Sequence, residues 1–127
     1  MIDLDTVILY HNEIIDQSGG SKGVRDEGLL LAALARPYAT FDQQELYPSP
    51  AEKAAAIFES LIINHSLIDG NKRVAYVLMR LTLMEFYFDI IAFEDEKYKM
   101  TIDASQSKIR FDEIKQWIEA HLVSINQ

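Results

Sequence analysis

Apolar residues recur at helical spacing along most of this chain, and no stretch alternates strictly between apolar and polar. That periodicity limits the possible folds more than any other feature, because a 3.6-residue period buries one side of a helix and scatters a strand. The clearest run is Ala54, Ile57, Phe58, Leu61 and Ile62. Ser49 precedes it as an N-cap, with Pro50 at the first helical position. Leu4, Val7, Ile8, Ile14 and Ile15 predict a helix over 3–17, which "SGGSKG" stops and follows with a flexible loop. Asp26 is a good N-cap for a segment whose face is Leu29, Leu30, Ala33 and Leu34, and Pro37 ends it. Residues 72–88 read as a helix apolar nearly all round, hence central. A more polar helix over 94–106 opens on Glu94, Asp95 and Glu96, which suit the helix dipole. An amphipathic helix over 111–123 turns Ile114, Trp117, Ile118 and Leu122 inward. Short extended pieces are allowed only at 38–47 or 88–92. The expectation is an all-α bundle of about six helices in one domain over 1–127, a length usual for one domain.

Composition removes several classes of function. Without cysteine there is no disulfide, thiolate metal site or cysteine nucleophile. The acidic N-terminal stretch lacks the basic start of a signal peptide, and the longest apolar run, "VLMRLTLMEFYF", is too short to span a bilayer and carries Arg80 and Glu85. A cytoplasmic protein with no membrane association is expected. The net charge of −8 disfavours direct nucleic-acid binding, which relies on neutralising many phosphates.

Against that acidic background Lys72-Arg73 is the clearest basic spot, and it lies within "NHSLIDGNKRVAY". His65 is expected on the last turn of its helix, on the face of Phe58, Leu61 and Ile62, part-buried and held in place. Gly70 permits the positive φ of a tight break. Asn71, Lys72 and Arg73 then open the next helix, whose first N–H groups lack intrahelical partners and attract anions. Arg grips phosphate through two hydrogen bonds, and Lys adds a compact charge. Asp69 beside bound phosphates suits Mg²⁺, and His65 suits a general base near neutral pH. Base, metal ligand and anion nest together describe phosphoryl or nucleotidyl transfer. Singly, each part has a plainer reading: a structural histidine, a turn, a solvated first helical turn. Positive charge at a helix N-terminus opposes the dipole, which favours an anion ligand. His11 and His121 have no metal-spacing partner and are read as surface residues, and Trp117 as core. Arg25 and Arg36 flank loops near the expected cleft and are read as salt-bridging or solvated before functional.

"HSLIDGNKR" resembles the signature of the Fic/Doc superfamily. Its Fic branch reads H-P-F-x-[D/E]-G-N-G-R and its Doc branch H-x-F-x-D-x-N-K-R, and His65, Asp69, Asn71, Lys72 and Arg73 match the Doc form. "LYHNEIIDQSGGSKGVRDEGLLLAALARP" is similar to the N-terminal part of Doc-like toxins, and "IKQWI" to their C-terminus. Leu67 departs from the usual phenylalanine and Ser66 from the Fic-branch proline. Lys72 replaces the glycine that leaves room for the ATP diphosphate in adenylylating members. The resemblance implies a compact Fic/Doc-like bundle with a short flap loop at 38–47. It implies a toxin that transfers the γ-phosphate of ATP to a Ser or Thr hydroxyl of elongation factor Tu, arresting translation, with ATP and Mg²⁺ as cofactors. His65 then corresponds to the general base. Asp69 orients the hydroxyl or holds Mg²⁺, and Gly70, Asn71, Lys72 and Arg73 bind the nucleotide. Tyr38, Phe41 and Tyr47 are either flap residues or core plugs beneath it. Self-inhibited Fic proteins carry [S/T]-x-x-x-E-[G/N], and the one candidate glutamate, Glu27, has Gly23 four residues before it. The resemblance therefore implies a separate antitoxin chain, whose amphipathic helix lies in an apolar groove and turns an acidic residue towards Arg73. The alternatives are a Fic-type adenylyltransferase and a catalytically inactive binding module. A metal-dependent phosphohydrolase is more remote, since no adjacent His-Asp pair is present.

Overall fold

The computed structural model describes residues 1–125. The described residues form six helices: α1 Leu4–Ser18, α2 Glu27–Ala35, α3 Pro50–Asn64, α4 Asn71–Met84, α5 Glu94–Ser105 and α6 Phe111–His121. Two small antiparallel pairs complete it. Strands β1 (Thr40–Phe41) and β2 (Gln44–Glu45) form a hairpin; β3 (Phe88–Ile90) pairs with β4 (Leu122–Ser124). The expected all-α bundle and its helix count hold. No helix among the described residues is long and apolar enough to cross a membrane.

Helix α3 occupies the centre, packing against α2, α4, α5 and α6. Ser49 and Glu52 form a reciprocal capping box at its start. Ala54, Ala55, Ala56, Ile57, Phe58, Leu61 and Ile62 are all buried. The run of alanines lets neighbours approach from several sides, and each large side chain contributes about 1.5–3 kcal/mol by burial. The central position therefore belongs to α3, not to α4. Helix α4 is amphipathic: Val74, Ala75, Leu78, Met79 and Leu83 are buried, while Lys72 and Arg73 are exposed. It also stops at Met84, because Tyr87 takes a left-handed conformation (φ 66°) that leads into β3. Helix α6 likewise ends at His121, where β4 pulls Leu122–Ser124 onto β3.

The 38–47 segment is a hairpin whose turn residues, Asp42 and Gln43, both have positive φ, as a type I′ turn requires. Buried Lys53 fastens it by donating to Glu45 (2.8 Å) and to the Tyr47 carbonyl. The aromatics divide. Tyr47 packs on Phe111 and bonds Arg36, Tyr38 donates to Glu85, and Phe41 stands exposed at the tip. Arg36 joins Glu59 and Arg110 in an ion-pair network. Ile8 and Leu29, expected inward, are exposed, while Trp117 is half-buried and stacks on His121.

Candidate active site

A cleft of about 1060 Å³ opens between the C-terminal end of α1, α4 from Asn71 to Arg80, and α5 from Glu94 to Ile102. His65, Asp69, Gly70, Asn71, Lys72 and Arg73 all line one end of it. The six residues singled out in the sequence are thus brought to one place, in different roles.

His65 does not sit on the last turn of α3. It is the residue that ends the helix, in the left-handed region at φ 49°, ψ 45°. Its ring is therefore turned off the Phe58–Leu61–Ile62 face and is exposed at the cleft rather than part-buried. Gly70 caps the start of α4 at φ 76°, a conformation that favours glycine. Between these two left-handed positions the loop is held by Asn71. Its Oδ1 accepts from the Leu67 N–H (3.0 Å) and its Nδ2 donates to the Leu67 carbonyl (2.9 Å). Each polar end of Asn71 makes one bond to the backbone, which leaves one Nδ2–H and one Oδ1 lone pair free of these contacts. Leu67 is itself buried, so leucine anchors the loop where phenylalanine is usual.

The N-terminal glycine segment is fastened to this loop and is not the free linker its composition suggests. Ser21 N–H donates to Asp69 Oδ2 (2.8 Å), and Gly20 lies so close that a β-carbon would come within 3.2 Å of Asp69 Cβ. Val24 bridges to Leu67, and Arg25 and Asp26 both donate backbone N–H to the Ser66 carbonyl (2.8 and 3.0 Å). The Arg25 side chain donates to the carbonyls of His65 (2.6 Å) and Asn64 (3.0 Å). From α1, His11 donates Nε2–H to the Asp69 carbonyl (2.7 Å). His11 is 2% exposed, which corrects its reading as a surface residue. The missed signal was spacing, since Val7, His11 and Ile15 recur every four residues and are the buried residues of α1. Arg25 binds carbonyls and no carboxylate, so it is not a salt-bridging residue, though it is exposed as a solvated one would be.

The start of α4 differs from the other helix starts. Asp3, Asp26 and Ser49 accept first-turn N–H groups of α1, α2 and α3, and Glu96 and Glu113 close back on α5 and α6. No side chain caps α4, and its first turn holds no acidic residue. Lys72 is exposed there, and Arg73 donates to Ser18 Oγ at the end of α1. Among the described residues neither pairs with a carboxylate, whereas Arg80 and Lys97 further along the cleft pair with Asp89 and Glu94. Cationic side chains without a carboxylate partner are therefore concentrated at the motif end, beside Asp69. Tyr76 lies between the two regions, and burial pushes its phenol up to about 12. It stays neutral at physiological pH.

No three or more His, Asp or Glu side chains converge as a metal cage among the described residues. Asp69 offers one carboxylate, with Oδ2 engaged by Ser21. That donor set fits a Mg²⁺ ion held chiefly by phosphate oxygens and water, with one protein carboxylate.

Comparison with known proteins places these observations. Residues 1–83, which include α1 to α3, the motif loop and nearly all of α4, match the sequence profile of the Fic/DOC family. The chain is also similar to Toxin Doc of Mycolicibacterium smegmatis (strain ATCC 700084 / mc(2)155), at 55% identity over 58 residues. That alignment spans 46% of this chain and 45% of the relative, less than half of either. With the profile covering well over half of its length and the motif assembled at one cleft, the chain belongs to the Fic/DOC family.

Proposed function

We propose that this protein is a Doc-type toxin of a toxin–antitoxin pair that transfers the γ-phosphate of ATP to a Ser or Thr hydroxyl of a translation factor of the elongation factor Tu class. One observation carries the reading: His65 and Asp69 face the same cleft as an uncapped cationic helix start. A base and an anion nest so arranged suit in-line phosphoryl transfer. The similarity to Toxin Doc supports the toxin assignment.

In this reading the phosphates lie on the first-turn N–H groups of α4 with Lys72 and Arg73. His65 takes the proton of the acceptor hydroxyl as its oxygen bonds to the γ-phosphorus. The bond from phosphorus to the bridging oxygen breaks, and ADP leaves. Asp69 holds the hydroxyl or a Mg²⁺ ion, which would neutralise charge on the phosphates. Lys72 favours a terminal phosphate here over the diphosphate path of adenylylating relatives, because its side chain occupies the space a glycine would leave. Asn71 acts as the clamp of the loop. The antitoxin is a separate chain whose amphipathic helix enters the groove between α1 and α4, lined by Tyr10, Ile14, Val77, Leu81 and Met84. The site of action is the cytoplasm.

Intact-mass analysis of elongation factor Tu after incubation with this protein and ATP–Mg²⁺ tests the reaction. A gain of one phosphoryl group is expected. A gain of one adenylyl group would assign the Fic-type reaction instead. An unchanged mass, with toxicity retained in cells, would remove this target.

A further inference from the structure

We propose that Arg25 is a positioning residue for His65, holding the histidine backbone in its left-handed conformation without touching substrate. The inference rests on the reading of His65 as the base. It starts from a mismatch of residue and conformation. A residue with a β-carbon is disfavoured in the left-handed region, and glycine is the usual choice at a helix end. His65 nevertheless ends α3 at φ 49°, ψ 45°. Its ring has no hydrogen-bond partner among the described residues and is exposed at the cleft. Nothing attached to the ring sets its direction, so the backbone must do so.

Arg25 supplies that control. Helix α3 ends, like any helix, with carbonyls that lack intrahelical partners and carry the negative end of the dipole. The guanidinium donates from Nε to the His65 carbonyl at 2.6 Å and from Nη2 to the Asn64 carbonyl at 3.0 Å. Two donors in one rigid plane thus fix two successive peptide planes, on either side of the His65 N–Cα and Cα–C bonds. Arg25 is itself held in register, since its N–H and that of Asp26 donate to the Ser66 carbonyl. It is not among the residues lining the cleft, so its effect on the reaction passes through His65 alone.

The test uses the full chain with Arg25→Ala and Arg25→Lys. The first measurement needs no activity: the ¹³Cα and ¹³Cβ shifts of His65 report whether it keeps the left-handed conformation. They are expected to move away from it in Arg25→Ala. The second is phosphoryl transfer from ATP–Mg²⁺ to elongation factor Tu. There kcat is expected to fall about tenfold to 10²-fold, with KM for ATP unchanged within about twofold. Arg25→Lys, which reaches one carbonyl instead of two, is expected to recover part of kcat. Unmoved His65 shifts, or moved shifts with unchanged kcat, would overturn the proposal. So would a loss expressed mainly in KM, which would mean that Arg25 meets the nucleotide directly. Should wild type transfer no phosphate while the shifts move as expected, the kinase reading fails and the backbone role stands. If Arg25→Ala does not fold, Arg25→Gln carries the same measurements.

Discussion

Asn71→Ala is the most informative single change, because the motif asparagine, expected on the nucleotide, also bonds the loop backbone through both ends of its amide. The substitution removes both partners of the Leu67 peptide groups, the N–H at 3.0 Å and the carbonyl at 2.9 Å. Leu67 is 2% exposed, so its backbone has little access to replacement water. Each buried polar group left unsatisfied costs about 1–3 kcal/mol. The two together come to about 2–4 kcal/mol after partial relaxation towards the cleft. For a chain of this size that corresponds to a fall in Tm of about 8–16 °C. Asn71→Asp is expected to be no milder. It keeps an acceptor for the N–H but sets a second carboxylate oxygen against the Leu67 carbonyl. Urea unfolding gives the answer directly, as a lower midpoint with an unchanged m-value. If Asn71→Ala stays within about 0.5 kcal/mol of wild type, the loop is not held by this side chain and the clamp argument is wrong.

Its motif neighbours should behave oppositely. His65→Ala is expected to lower phosphoryl transfer about 10²–10⁴-fold while costing no more than about 1 kcal/mol of stability, since the exposed ring has no protein partner; wild-type growth arrest by the folded variant would remove His65 from the mechanism. Arg73→Ala is expected to weaken ATP binding by about 1.5–3 kcal/mol, roughly 10- to 150-fold, by titration calorimetry, and equal affinity would show that the nest holds something else. Away from the motif loop, His121 bonds the Trp117 carbonyl (2.7 Å) and Glu96 (3.1 Å), which raises its pKa above the ordinary histidine value despite some opposing burial. A raised folded pKa gives stabilisation that is complete below the unfolded value of about 6.5 and lost as pH rises through the folded one. The stability difference between wild type and His121→Phe should therefore be full below about pH 6.5 and shrink as pH rises through the raised folded value, and a difference independent of pH would contradict it.

The sequence by itself determined the helices and the place of the site. Helical period, Ser49 with Glu52 and Pro50, and Asp26 as a cap are local features, acting within a turn or two of where they stand. They set α2, α3 and the break before α4 whatever the rest of the chain does. The motif residues also lie within nine positions, so their meeting at one cleft needed no long-range information. What the tertiary structure decided is everything that depends on a distant partner. His11 is buried because α4 and the Asp69 loop close over α1, 58 residues on in sequence. The glycine segment is fastened because Asp69 and Ser66 offer it acceptors from another loop. Helix α4 stops at Met84 because β3 must turn to meet β4 across the domain's end, where a helical continuation would have left both strands unpaired. The roles within the motif were divided in the same way. Spacing cannot say whether Asn71 turns to a ligand or to Leu67, or whether His65 ends its helix or continues it. Those choices follow from which backbone groups are buried without partners, and that is known only once the chain has packed.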